Sequence, residues 1–246
     1  MNSSKNTVLI TGGSAGIGFA LAQALIAQGN QVIITGRNKE RLEQAAARLQ
    51  HVTAIQSNSA DPQAAQALAT RLQQEFPQLN MVINNAGHAY AYDLAGGQDA
   101  AGKAEAEMLT NYIAVIRLNE LLLPLLLQQE QAAIVNVSSI TAFVPGNRVS
   151  TYSASKAALH SYSQSLRFSL AGTPVKVFEL MPPLVNTDFS QEIGGANGIQ
   201  PSVVADDLLQ ALQEDRFEIH TGATAHIYEL LRTAPDAAFD AMNTRA

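Results

Sequence analysis

The chain contains no cysteine. That single absence removes disulfides, zinc–thiolate sites, iron–sulfur clusters and thiol nucleophiles together, and it fits a reducing compartment. Basic residues are scarce as well: 15 Lys and Arg stand against 21 Asp and Glu, for a net charge of −6. Nucleic-acid binders usually carry a basic face, so no nucleic-acid partner is expected. Long hydrophobic runs are missing. The most apolar stretch, Leu121–Leu127, is interrupted by Pro124 and is far shorter than a membrane span. Met1–Thr7 is polar and is not followed by a signal-length apolar run,. No linker tract and no solenoid repeat divides the chain. The five histidines, at 51, 88, 160, 220 and 226, show no metal-ligand spacing,. These absences lead to the expectation of a soluble cytoplasmic protein with no membrane partner and no metal, built as one domain over residues 1–246.

What is present is a large apolar content, 47% of 246 residues, enough to build a core without disulfides or a structural metal. Short β-like runs alternate with helical patterns. The β-like runs are Thr7–Thr11, Gln31–Thr35, Val52–Gln56, Met81–Asn84, Ala133–Ser138, Val175–Leu180 and Glu218–Thr221. Most are nearly continuous apolar segments, as strands covered on both faces require. Between them, Ile17, Leu21, Ala24 and Leu25 share one helical face, as do Leu42, Ala45, Ala46 and Leu49. Leu68, Leu72 and Phe76 form a third stripe, and Val204, Leu208, Ala211 and Leu212 a fourth,. Longer helices are expected over about Lys103–Gln129 and Ser150–Ala171. The alternation predicts an α/β fold: a doubly wound, Rossmann-type parallel β-sheet with helices on both faces, in three α/β/α layers. The strand order is not legible from the pattern.

Thr11-Gly12-Gly13-Ser14-Ala15-Gly16-Ile17-Gly18 follows the first strand and opens the first helix. Glycines allow backbone to approach a pyrophosphate, and a helix N-terminus supplies free N–H groups and positive dipole. The spacing is looser than G-x-G-x-x-G, and no Lys follows the last glycine as a P-loop would need. The alternative is a tight strand–helix connection with no ligand. The second strand runs into Thr35-Gly36-Arg37-Asn38. An NAD site places an acidic residue in this region for the ribose hydroxyls. Here Arg37 stands instead, and a guanidinium forms forked pairs with phosphate. This predicts NADP(H) in preference to NAD(H). An exposed strand-end arginine is the alternative.

Tyr152-Ser153-Ala154-Ser155-Lys156 puts a phenol and an ammonium four residues apart, on one face of a helix,. A buried ammonium favours phenolate and is expected to lower the Tyr152 pKa, making it an acid and base near neutrality. Asn84-Asn85-Ala86-Gly87, Ser138-Ser139 and Pro182-Pro183-Leu184-Val185-Asn186-Thr187 end the fourth, fifth and sixth strands. Carboxyl ends of strands are where open α/β sheets bind ligands.

These motifs, in this order and from Thr7 to about Thr221, resemble the short-chain dehydrogenase/reductase family in its compact single-domain form. The resemblance implies hydride transfer between a nicotinamide cofactor and a carbonyl or alcohol substrate. It implies Tyr152 as proton donor or base, and Lys156 as the group that binds the nicotinamide ribose and lowers the Tyr152 pKa. Ser139 would hold the substrate oxygen, since its interval of 13 residues to Tyr152 is the family's; Ser138 would be structural. Asn111 would hold a water that links Lys156 to solvent. Gly12, Ser14, Gly16, Ile17 and Gly18 would form the cofactor turn. Arg37 and Asn58 would serve the adenosine end, and Asn85, Ala86 and Gly87 would pass beside its ribose. Pro182, Val185 and Thr187 would lie along the nicotinamide carboxamide.

Two positions depart from the family pattern. Asn58 stands where an Asp often contacts adenine, keeping an acceptor and adding donors. Pro183 replaces a commoner Gly and stiffens its loop,. The Pro-Pro pair and the Ala234–Asn243 tail are similar to bacterial DltE-type oxidoreductases. His88 directly follows Gly87 and is a candidate, with Tyr90 and Tyr92, for the substrate entrance,. Asp188–Ser202 is expected as a flap, with Phe189 and Ile193 as its apolar contacts,. The wide apolar coverage of the two long helices points to a subunit interface, and the resemblance implies that these helices pair into a homodimer or homotetramer. Two rival readings share the fold: an NADP-binding sensor with little catalysis, and a nucleotide-sugar epimerase or dehydratase. The latter needs a larger C-terminal substrate domain than the roughly 59 residues after Thr187 provide,.

Overall fold

Seven parallel strands form one sheet: β1 (Thr7–Ile10), β2 (Gln31–Gly36), β3 (Val52–Gln56), β4 (Leu79–Asn84), β5 (Ala132–Val137), β6 (Val175–Met181) and β7 (Glu218–His220). Their order is β3-β2-β1-β4-β5-β6-β7 in this computed structural model, which describes residues 3–243. Residues 1–2 and 244–246 of the expected 1–246 domain lie outside the described residues. Chain progression reverses between β1 and β4, so the carboxyl ends of these two strands flank the crevice where such sheets bind ligands,.

Successive strand side chains point to opposite faces, and both faces are buried. Val8, Ile10, Val32 and Ile34 meet Leu21, Leu25, Leu42, Val204 and Leu208 on one side. These come from α1 (Gly16–Ala27), α2 (Lys39–Leu49) and α7 (Pro201–Glu214). Leu9, Ile33, Val82 and Ile134 meet Leu68, Leu72, Leu118 and Leu122 on the other. Those belong to α3 (Pro62–Glu75) and α5 (Ala114–Leu126), with α6 (Ser150–Ser169) beside them. Leu42 and Leu72 each present the period-3.6 stripe read from the sequence. Phe76 is buried, but it caps α3 rather than continuing it.

The expected helix over 103–129 is instead α4 (Ala100–Met108), a single π-helical turn (Leu109–Ile113) and α5, which carries Pro124 inside it. The combined stretch Ala100–Leu126 is long and apolar enough to cross a membrane. Here its Leu118, Leu122, Leu125 and Leu126 pack into the core. Two helices near the C-terminus were not anticipated, α8 (Ala223–Thr233) and α9 (Pro235–Met242). Their Ile227 and Ala238 pack with Ile140 and Val144, from the segment after β5, as a small third cluster.

Candidate active site

The glycine turn leaves β1 at Thr11 and is tied to β4 at once. Thr11 N–H donates to the Ile83 carbonyl at 3.0 Å. The Thr11 hydroxyl accepts from the N–H groups of both Asn85 and Ala86 at 3.0 Å. The Asn85 amide then donates to the Thr11 and Gly12 carbonyls at 2.9 and 3.1 Å. Two of the expected motifs are therefore one hydrogen-bonded unit. Gly12 has φ +67°, and a Cβ there would meet the Ala86 Cα at 3.0 Å. Beyond the turn, α1 begins at Gly16 with Ala15 before it. No side chain caps this helix end, so its first N–H groups face outward.

From this turn a cleft of about 690 Å³ runs over the carboxyl ends of the strands. Every expected cofactor residue except Gly18 lines it. Gly18 lies beneath the turn, packed on Gly12. At one end stand Arg37, Asn38, Ser57 and Asn58. Asn58 turns its side-chain oxygen to the Ala60 N–H at 3.3 Å. Arg41 also lines this end and was not anticipated. It reaches over the cleft mouth to Asp188. The signal was available: Asn38 is a good N-cap residue, and it caps α2 by accepting the Arg41 N–H at 2.9 Å, which puts Arg41 in the first turn, four residues past Arg37,.

The opposite end gathers Ser139, Tyr152 and Lys156. Ser139 Oγ accepts from the Thr141 N–H at 3.1 Å and from the Thr141 hydroxyl at 3.0 Å. Its lone pairs are thus taken, and its hydroxyl is hydrogen-bonded to Tyr152. Ser138 points the other way and donates to the buried Glu179. Lys156 is 4% exposed, and its ammonium donates to the Val137 carbonyl at 2.7 Å. Burial pulls its pKa down to about 8, with Glu179 pulling upward.

Tyr152 differs from expectation. Its pKa is raised, first by burial, against a lowering hydrogen bond from Ser139 and with a further push from Glu107. Lys156 is engaged with Val137 and does not offset the burial. The Phe189 ring lies 5.9 Å from the Tyr152 ring, and Ile193 lines the same region.

Asn111 sits in the π-helical turn, fully buried. Such turns shift a helical face by one residue, often at functional sites. Its amide clamps His88, accepting its N–H and donating to its carbonyl, both at 2.8 Å. It also donates to Ser155 at 2.9 Å. A Cβ at Gly87 would lie 3.5 Å from Asn111 Oδ1 and 3.9 Å from Lys156 Nζ. The missing side chain leaves space between these two polar atoms. His88 lines the cleft, with its pKa lowered chiefly by burial. Tyr90 and Tyr92 stand behind it. The Tyr90 N–H donates to Glu107 at 2.8 Å, and the Tyr92 hydroxyl bonds Thr151 at 2.8 Å.

The segment expected as a flap ends earlier than read, because Pro201 and Ser202 already belong to α7. Its base is a small parallel bridge. Ile199 N–H donates to Leu184 at 3.0 Å, and Asn186 N–H to Ile199 at 2.8 Å. The far wall of the cleft includes Met242 from α9.

A family model described as short chain dehydrogenase matches residues 6–198. Over its whole length the chain is 37% identical to the uncharacterized oxidoreductase DltE of Bacillus subtilis, covering 99% of that protein. It is 32% identical to 1-deoxy-11-beta-hydroxypentalenate dehydrogenase of Streptomyces avermitilis, over 92% of this chain and 87% of the relative. Among solved structures, a short chain dehydrogenase from Burkholderia cenocepacia in complex with NADP superposes with TM-score 0.87 at 26% identity, covering 98% and 99% of the two chains. One from Burkholderia phymatum in complex with NAD gives TM-score 0.88 at 21% identity, over 100% and 98%. That second likeness is one of fold.

Proposed function

The chain belongs to the short-chain dehydrogenase family, and from that premise we propose that it is an NADP(H)-dependent oxidoreductase acting on a carbonyl or secondary-alcohol substrate, with Tyr152 as general acid and base. We also read the whole chain, residues 1–246, as one domain. The observation that carries the reading is the shared cleft: the glycine turn, Arg37, Ser139, Tyr152 and Lys156 all border it.

The residues fit a dinucleotide. The uncapped start of α1 offers N–H groups to a pyrophosphate, over a turn whose Gly12 leaves no room for a side chain,. Arg37, with no side-chain partner among the described residues, would take a 2′-phosphate. Asn58 and Asn85–Gly87 would flank the adenosine. Pro182, Val185 and Thr187 would flank the nicotinamide end, and Lys156 would hold its ribose. Family neighbours are described with NAD and with NADP, so the preference for NADP(H) rests on Arg37 and on the lack of an acid beside it.

When bound, the cofactor supplies the hydride. The protein's own share is proton and charge. Ser139, hydrogen-bonded to Tyr152 in this geometry, would turn its O–H to the substrate oxygen. Tyr152, held protonated by burial, gives its proton to the same oxygen in reduction. Removing one such donor typically costs roughly 10²–10³ in rate. Asn111, fixed by His88, would hold a water in the space at Gly87, linking Lys156 onward,. The exposed Leu109 and Ile113 of the π-helical turn support a subunit interface there, as a homodimer or homotetramer.

The test is consumption of NADPH, and separately of NADH, against a panel of ketones, aldehydes and diketones. The reading expects turnover with NADPH that disappears in Tyr152→Phe. Turnover that survives this substitution, or that prefers NADH, overturns it.

A further inference from the structure

The cleft is cationic in an acidic protein. Its border holds Arg37, Arg41, Arg148 and Lys156 against a single acid, Asp188, although the chain carries a net charge of −6. A cleft lined by one sign of charge concentrates ligands of the other. Three of these cations already have a use. Arg41 is engaged by Asp188, Arg37 is proposed for the 2′-phosphate, and Lys156 for the nicotinamide ribose. Arg148 is left over. It stands at the other end of the cleft, four residues before Tyr152.

Arg148 belongs to the short turn Asn147–Val149, whose backbone is tied down at several points. The Tyr92 N–H donates to the Arg148 carbonyl at 2.9 Å, and the Val149 N–H to the Gly146 carbonyl at 3.1 Å. The Asn147 N–H donates to the Asn243 side chain at 2.6 Å. The Arg148 side chain is exposed and has no partner among the described residues. A guanidinium on a fixed backbone thus keeps its donors for a ligand. The rest of this end is apolar. Ile140 follows Ser139, Val149 shares the turn with Arg148, the Phe189 ring lies 5.9 Å from the Tyr152 ring, and Ile193 and Met242 complete the border. His88 adds no charge at neutral pH, since burial lowers its pKa. Ser139 is only 6% exposed. The reacting oxygen would therefore sit deep, with the free cation at the rim and apolar surface between them.

We infer that the substrate is a carboxylate: an oxo acid or hydroxy acid with an apolar body, its acid group remote from the reacting carbon and paired with Arg148 at the rim. The inference rests on the proposed oxidoreductase reading, which leaves the substrate class open. A forked guanidinium matches the two oxygens of a carboxylate. The apolar border disfavours a phosphorylated sugar, whose hydroxyls would lose water there without gaining hydrogen bonds.

The experiment compares medium-chain oxo acids, their oxo group placed at increasing distance from the carboxylate, with the methyl esters of the same acids. Binding is followed by calorimetry with and without NADP⁺, and turnover by loss of NADPH absorbance. At least one acid is expected to bind roughly tenfold or more tighter than its ester, the scale of a charge-assisted hydrogen bond. Arg148→Gln should erase that difference, and Arg148→Lys should keep part of it. A turn merely disturbed by substitution would weaken acid and ester together, so their ratio separates recognition from structure. Acids that bind no better than their esters, a preference that survives Arg148→Gln, or no binding of any acid overturns the inference. The two readings fail separately. An acid that binds in preference to its ester through Arg148, yet is not turned over, upholds the anion site and goes against the oxidoreductase reading. Tyr152-dependent turnover of neutral ketones and esters, with no preference for the acids, does the reverse.

Discussion

A Cβ on Gly18 would lie 2.4 Å from the Gly12 carbonyl oxygen and 2.5 Å from Asn85 Nδ2. The first contact is with backbone, so no side chain can swing away to relieve it. Asn85 is itself the strut that fastens this turn to the end of β4. Gly18→Ala must therefore shift the turn that opens α1. NADPH affinity is expected to fall roughly tenfold or more, because the N–H groups that meet a pyrophosphate are displaced. The melting temperature should drop by several degrees, roughly the effect of 1 kcal/mol or more. Fluorescence titration and thermal melting check both. Unchanged affinity would mean the nucleotide does not use this turn.

Arg37 and Arg41 both line the cleft at the end proposed for adenosine, but they are not equivalent. Arg41 is engaged by Asp188, whereas the Arg37 guanidinium has no side-chain partner among the described residues. Arg37→Asp should raise the KM for NADPH roughly tenfold or more, the scale of a charge-assisted pair turned repulsive. The KM for NADH should change little. Parallel steady-state assays with the two nucleotides decide it. Equal changes would assign the phosphate contact elsewhere, with Arg41 the next residue to vary.

In the proposed reaction Tyr152 carries the proton chemistry, and burial raises the pKa of its phenol. Reduction should thus keep its acid throughout the neutral range, while alcohol oxidation, which needs the phenolate, should accelerate as pH rises. Tyr152→Phe removes the proton and little volume. Its kcat should fall roughly 10²- to 10⁴-fold, with NADPH affinity within about twofold of the parent, as expected for a group acting in the reaction step. Stopped-flow or steady-state turnover beside a binding titration tests this. Loss of binding in step with loss of rate would make Tyr152 a binding residue.

Much of this architecture was legible from local pattern. Strands buried on both faces read as apolar runs, and β3 begins and ends where its run does, Val52–Gln56. Most motif residues line one cleft because they follow the ends of parallel strands, which the sheet brings together, while α6 carries Tyr152 and Lys156 to the same cleft. Long-range arrangement was less legible. The π-helical turn at Asn111 has no sequence signature, since it depends on the clamp to His88. Helices α8 and α9 bury little beyond Ile227 and Ala238, so their stripes are weak. The Tyr152 pKa was misjudged for the same reason. Proximity of Lys156 was visible in the spacing, while burial and the pull of the Val137 carbonyl on the ammonium were not.

The C-terminal segment supplies a wall of the cleft that only the folded chain reveals. Asn243 accepts the Asn147 N–H at 2.6 Å and donates to the Pro145 carbonyl at 2.9 Å. It thereby fastens the turn Asn147–Val149, which lines the cleft just before α6, to the end of α9, where Met242 lines it too. The proposed nucleotide end of the cleft lies at β1 and β2, whereas this clasp joins the segment after β5 to α9. Asn243→Ala removes these two hydrogen bonds and a third to the Phe239 carbonyl, each worth about 1 kcal/mol, and frees the wall to move. The KM for a bulky carbonyl substrate should rise roughly threefold to tenfold, with the KM for NADPH unchanged. If NADPH binding weakens instead, the clasp supports the cofactor half of the cleft. If neither constant moves, substrate does not touch this wall, and specificity must be sought at Phe189 and Ile193 on the opposite lip.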